Sequence, residues 1–234
     1  MIFYKNTKIA DLGFVINLPE RTDRKETTTN LLNDIGISGY SFFNGIRNSD
    51  NEWKKYGCTQ SFLEIFEIAL NKNVESIIIF EDDIKMTKSI TNIDIDNIFS
   101  NWSSATKNYD IIALGTRPVI GSKIIKDSDY FGRTTNCLCA HAFYYKKNFI
   151  KYFYEKMKNY KVFGDPYYKC IVDEFINDCC SNEHMIKNKN ELFNVGITIP
   201  MMFTQRHSYS NNENCDQNLE DWIDFCFWEA LKKE

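Results

Sequence analysis

Three consecutive carboxylates, Glu81, Asp82 and Asp83, follow directly on the apolar run Ile77-Ile78-Ile79-Phe80. Like charges at that spacing repel, so a folded chain keeps them together only with a counter-charge or with ample water. A hard divalent cation carrying diphosphate oxygens is the partner that best fits such an acidic knot. The other reading is a solvated acidic loop, since structural ion pairs also gather carboxylates. Asp83 and Glu81 are the candidate metal ligands, and Asp82 is a candidate for contact with a nucleotide ribose or a metal-bound water. A cation held there would stabilise negative charge growing on a leaving nucleotide without moving a proton.

A strand must bring these groups to an edge. Ile77 to Phe80 are β-branched or aromatic and apolar on both faces, which predicts a central parallel strand covered by helices on either side. The carboxylates then stand at its carboxyl end, where open α/β sheets place their ligands. Leu12 to Leu18 reads as a first strand, closed by Pro19 and followed by the polar turn 20–24, with Thr22 a candidate helix cap. Tyr40 to Phe43 reads as a second strand ended by Asn44 and Gly45. Phe62, Ile65, Phe66, Ala69 and Leu70 recur at helical spacing and predict an amphipathic helix over Thr59 to Leu70. Further strands are expected over Tyr109 to Leu114, Ala140 to Tyr145 and Leu192 to Ile199. A helix carries Phe149, Phe153 and Met157, and a closing helix runs from Leu219 to Leu231. The alternation argues for an α/β sheet between helices.

The chain has 234 residues, 43% hydrophobic, enough for one core and one domain spanning 1–234. Its formal net charge of -4 lacks the basic surplus of a phosphate-backbone binder, so nucleic acid is not an expected partner. No segment approaches the roughly 20 apolar residues of a membrane span, and the amino terminus reaches charge early. A cytoplasmic enzyme without a leader is expected. The eight cysteines read as reduced thiols, and Cys137-Leu138-Cys139 and Cys179-Cys180 lack the spacing of a structural zinc tetrad. The aromatic closing helix can dock on its own core or on a second copy, as in a homodimer.

A nucleotide-sugar transferase on one α/β domain needs a nucleoside pocket, a metal-binding acidic turn and a base for the acceptor. Arg21 and Arg24, beside the end of the first strand, suit forked contacts to phosphate, with solvated surface charge as the rival reading. Asn17 and Leu18 can offer backbone groups to a base, and Asn44 and Gly45 end the next strand on the same edge.

Six segments in order resemble glycosyltransferase family 25, which contains bacterial lipooligosaccharide galactosyltransferases and animal procollagen galactosyltransferases. They are 14–24 (FVINLPERTDR), 57–61 (GCTQS), 78–83 (IIFEDD), 140–144 (AHAFY), 172–175 (VDEF), and 200–205 (PMMFTQ) with 208–210 (SYS). The segment 172–175 is more similar to the collagen-modifying branch. One departure is Phe62, where family members often carry a histidine after the serine.

The resemblance implies a GT-A-type, Rossmann-like mixed sheet, a UDP-sugar donor (galactose or glucose), manganese and an inverting mechanism. The acceptor is then hydroxylysine of a collagen-like protein or a sugar of a surface glycan. Inversion needs a general base facing the acceptor hydroxyl, and Asp173 or Glu174 occupies the matching position. An acidic helix amino-terminus is the alternative reading of that pair. Ser61 and Gln205 fall at donor-side positions, and His207 matches a late histidine that some related enzymes use as a further metal ligand. Neutral imidazole suits manganese. His141, inside an expected strand, reads as a satisfied core or edge residue.

Overall fold

The alternating strands and helices assemble, in the computed structural model, into an eight-stranded mixed sheet with helices on both faces. The structure describes residues 1–47, 54–118, 123–134, 137–158, 172, 175–176, 193–206, 208–210, 215–217 and 229–231. The first elements are β1 (Ile2–Tyr4), β2 (Thr7–Ala10), β3 (Leu12–Asn17), α1 (Thr22–Asp34), β4 (Ile37–Ser38), β5 (Ser41–Asn44) and α2 (Lys54–Asn71). Next come β6 (Ser76–Glu81), β7 (Ile84–Met86), α3 (Asn92–Ser100), α4 (Trp102–Asn108), β8 (Ile111–Pro118), β9 (Ile124–Lys126), β10 (Phe131–Thr134) and β11 (Cys137–Lys146). The last are α5 (Lys147–Met157), β12 (Val195–Thr198), β13 (Phe203–Gln205), β14 (Ser208–Ser210) and β15 (Cys215–Gln217).

The large sheet has the order β5-β3-β6-β11-β8-β12-β10-β9. β3 is parallel to β5 and β6, and β12 is parallel to β8, while β11 runs antiparallel between β6 and β8. The carboxyl ends of β5, β3, β6, β8 and β12 therefore lie along one edge. β6 is buried on both faces as expected, yet it is parallel to a neighbour on one side only.

The pleat of β6 explains why four consecutive apolar residues stand before the acids. Ile77 and Ile79 face a cluster containing Phe62 and Phe66 of α2 and Phe149 and Phe153 of α5. Ile78 and Phe80 face a second cluster with Leu32 of α1, Ile95, Ile98 and Phe99 of α3, and Trp102 of α4. Each such side chain contributes about 1.5–3 kcal/mol over remaining in water. No helix among the described residues is long and apolar enough to cross a membrane.

Several boundaries differ from the sequence expectation. α2 begins at Lys54, and β8 continues through Gly115. Thr22 is the first helical residue, with Arg21 in the cap position and no side-chain cap bond. A small sheet β2-β1-β4 and the pair β13-β7 were not legible from apolar runs. The second matters for chemistry, because Gln205 lies opposite Ile84, the residue after the acidic turn. Gly115 permits that crossing: a Cβ there would lie 2.7 Å from Phe203 Cβ and 2.9 Å from its carbonyl oxygen.

Candidate functional site

The acidic knot is held from three sides, by α1, by the end of β3 and by the end of β13. The Arg24 guanidinium, projecting from α1, uses Nη1 to donate to Asp82 Oδ1 at 2.9 Å and to Asp83 Oδ2 at 3.1 Å. Asn17, the last residue of β3, donates through Nδ2 to Asp82 Oδ2 at 2.7 Å. Gln205 of β13 donates to Asp83 Oδ2 at 3.0 Å, and the Arg206 amide donates to the Asp83 carbonyl at 2.8 Å. The Thr28 hydroxyl of α1 donates to the Asp82 carbonyl at 2.7 Å. The counter-charge that three adjacent carboxylates demand is thus supplied in part by the chain itself.

These contacts give the two aspartates different tasks. Both Asp82 oxygens are engaged, so Asp82 ties β3 and α1 to the turn. Burial, and then the neighbouring Asp83 charge, push its pKa above the usual carboxylate value despite Arg24 and Asn17. Asp83 has one oxygen clamped by Arg24 and Gln205, while its buried Oδ1 has no hydrogen-bond partner. An acceptor-only atom left so in a protein interior costs free energy unless another group occupies it.

His141 of β11 completes the arrangement. It is 1% exposed, its Nδ1 lies 3.0 Å from Glu81 Oε2, and its buried Nε2 has no hydrogen-bond partner. Burial pushes the imidazole pKa down, but hydrogen bonds with Cys139 and Glu81, reinforced by charge, outweigh it and hold it well above 6.5. Glu81, Asp83 and His141 each offer a ligand atom, all within 4.8 Å of one another. Two carboxylates and an imidazole form a donor set that suits manganese or zinc. Asp83 Oδ1 and His141 Nε2 are, in addition, buried without a hydrogen-bond partner.

The structure brings Asn17, Arg24, Glu81, Asp82, Asp83 and Gln205 together. Arg24 does so as the partner of the carboxylates, and Arg21 forms a forked pair with Asp23 at 2.9 and 2.8 Å. The Asn17 carbonyl accepts from the Gly45 amide, and the Leu18 carbonyl accepts from the Arg21 amide, both at 2.8 Å. The backbone acceptors at Asn17 and Leu18 therefore shape the edge. Asn44 pairs in register with Asn17 and is exposed. Ser61 is buried; its hydroxyl accepts from the Ile46 amide at 2.9 Å and donates to the Gly57 carbonyl at 2.8 Å, fastening the loop after β5 to α2. Asp173, Glu174 and His207 lie outside the described residues. His141 is the functional candidate that sequence reading set aside. It is a buried strand residue as expected, but the pairing of Ala142 with Phe80 places it beside Glu81, which no one-dimensional spacing encodes.

No known family model matches the sequence, and no curated protein matches it. Solved structures resemble it weakly. A glycosyltransferase involved in the glycosylation of the major capsid of PBCV-1 shares 9% identity over 92% of this chain and 98% of its own, with a TM-score of 0.43. A nucleoside-diphosphate-sugar pyrophosphorylase from Vibrio cholerae shares 11% identity over 81% of this chain and 73% of its own, at 0.37. An inositol-1-phosphate CTP transferase from T. maritima shares 11% identity over 96% of this chain and 98% of its own, also at 0.37. Matches at this level carry no inference about activity.

Proposed function

We propose that this chain is a metal-dependent, inverting glycosyltransferase that moves galactose or glucose from a UDP-sugar to a hydroxyl acceptor, preferably hydroxylysine of a collagen-like protein. The observation that carries the reading is the trio of Glu81, Asp83 and His141 at the carboxyl edge of the sheet, each offering a ligand atom within 4.8 Å of the others. The ordered segments similar to family 25 supply the donor and acceptor classes.

In this reading Glu81, Asp83 and His141 hold Mn2+, with His207 as a further ligand from the carboxyl-terminal segment. The bound cation would take the diphosphate oxygens and offset charge on the departing nucleotide. Arg24 and Gln205 orient Asp83 so that its free oxygen faces the cation, and Asn17 and Arg24 keep Asp82 out of that role. The loop 44–46, held by Ser61, and the turn after β3 frame the nucleoside side. Asp173 or Glu174 takes the proton of the acceptor hydroxyl on the face opposite the leaving group.

The test is thermal unfolding with UDP, with Mn2+ and with both. Joint addition should raise the melting temperature far more than either alone, and Asp83→Ala should abolish the joint shift. Asp173→Asn or Glu174→Gln should leave that shift and stop transfer to a hydroxylysine peptide. A melting temperature indifferent to the joint addition would sink the proposal. Donor hydrolysis with transfer only to surface-glycan sugars would move the acceptor to the lipooligosaccharide class.

A further inference from the structure

The ribbon of β7 and β13 joins the acidic turn to a second cleft. At one end Gln205 donates to Asp83 and lies opposite Ile84. At the other end Thr87 holds the chain that enters β13: its amide donates to the Met202 carbonyl at 3.1 Å and its hydroxyl to the Met201 carbonyl at 2.6 Å. Just beyond, Ser89 and Pro200 border an open cleft of about 560 Å3, lined also by Asp94 of α3, Lys126 of β9, and Asp129 and Tyr130 of the turn between β9 and β10. Phe131, the first residue of β10, pairs with Thr198, the last of β12. The turn that carries Asp129 and Tyr130 therefore stands at the carboxyl edge of the sheet, the edge that also carries the acids.

The lining suits a long cationic side chain. Asp94 and Asp129 set two carboxylates against the single ammonium of Lys126. Asp94 Oδ2 accepts from the Thr91 amide and hydroxyl at 2.9 and 2.7 Å, while Asp129 and Lys126 have no ion pair among the described residues, with each other or elsewhere. The cleft is therefore net negative. Ile199, Pro200 and Leu231 add apolar surface, on which the stem of a lysine or arginine can lie while its head meets a carboxylate. Ile93 and Ile125, exposed at 71% and 45%, are the immediate chain neighbours of Asp94 and Lys126. Apolar surface gathered around a polar cleft is the pattern of a binding surface. From Pro200 to Gln205 the chain spans at most about 17 Å, at about 3.4 Å per residue. An extended polyproline-II strand rises about 3.1 Å per residue with three residues per turn, so a side chain six residues from the reacting one shares its face at about 19 Å, while one three residues away, at about 9 Å, falls short.

We infer that this cleft is a distal acceptor subsite, which takes a lysine or arginine side chain two Gly-X-Y triplets away from the residue that receives the sugar. The bound cation lies far from the reacting atoms, so it strengthens acceptor binding without changing the chemical step. An acidic side chain in the same register meets Asp94 and Asp129 and is rejected. The identity of the acceptor rests on the proposed transferase function, whereas the preference for an extended cationic peptide rests on the lining of the cleft.

Fluorescently labelled Gly-X-Y peptides serve as probes of the full chain, each with one hydroxylysine and with Lys, Ala or Glu six residues before or after it. Anisotropy should show the Lys peptide binding on the order of five- to tenfold more tightly than the Glu peptide in one of the two directions. Lys four residues away, on another face, should bind no better than Ala. In transfer assays the preference should appear in KM with kcat unchanged. Asp129→Asn should abolish the preference and Asp129→Lys should invert it, both leaving the joint stabilisation by UDP and manganese as in the wild type. Peptides that do not bind, binding indifferent to charge or register, or a preference that survives Asp129→Lys overturns the inference, and transfer to hydroxylysine or to a glycan in those cases leaves the transferase reading intact. Binding that follows charge and register, and inverts in Asp129→Lys, with no transfer from any UDP-sugar overturns the transferase reading and leaves the cleft as a cationic-peptide site.

Discussion

Replacing Arg24 by Met keeps much of the side chain's length and removes the charge that holds the acidic turn together. The Arg24 side chain is 11% exposed and each aspartate partner 9%, so water compensates little for the loss. At contact distances of 2.9 and 3.1 Å, each pair is worth about 5 kcal/mol at an effective dielectric of about 20. Much of that attraction offsets the cost of burying the guanidinium. What remains after truncating one partner of such a buried set is typically about 3–5 kcal/mol, because two carboxylates are left close together. For a domain of this size that corresponds to a fall in melting temperature on the order of 10 °C. Urea unfolding near neutral pH, followed by tryptophan fluorescence and circular dichroism, measures the loss. The double variant Arg24→Met with Asp82→Asn should recover a large share of it, since the neutral amide removes the repulsion from Asp83. A loss below about 1 kcal/mol, or a double variant no more stable than the single one, would refute the claim that Arg24 is the structural counter-charge.

Gly115→Ala should destabilise by about 1–3 kcal/mol, because the new Cβ meets the Phe203 backbone at 2.9 Å. It should also weaken the joint UDP and manganese stabilisation by shifting β13 and with it Gln205, which thermal unfolding of the variant checks. Phe66→Ala should cost about 3–5 kcal/mol in denaturant unfolding, since Phe66 is fully buried with its ring 5.3 Å from both Tyr145 and Phe153. Asp11 pairs with Lys8 and accepts from the Glu75 and Ser76 amides at 2.8 and 3.1 Å. Burial pushes its pKa up, but these partners outweigh it and hold it below the usual value. Its stabilisation is therefore complete above the unfolded carboxylate pKa of about 4 and is lost as pH falls through the lower native value. Asp11→Asn should flatten the acid limb of a stability profile measured by urea unfolding from about pH 7 down to pH 3.

Sequence alone determined what depends on near neighbours in the chain. The apolar run of β6 and the acids that end it form a strand closed by a charged turn, whatever surrounds them. The helical spacing of Phe62, Ile65, Phe66 and Ala69 predicts α2, although its first turn, which carries few apolar residues, extends beyond that stripe. The apolar runs that end at Asn17, Asn44 and Glu81 were legible one by one, whereas their meeting on one edge came from the parallel pairing of β3 with β5 and β6. Tertiary structure alone decided which partners meet them. Arg24 turns from a nucleotide contact into the internal counter-charge because α1 crosses beside the acidic turn. His141 turns from a core residue into a candidate ligand because an antiparallel strand, β11, enters beside β6 and sets its residue 142 opposite Phe80. Hydrophobic periodicity reports which face of an element is buried; hydrogen bonds and charge pairs across more than 50 residues of sequence depend on strand order and register, which periodicity does not specify.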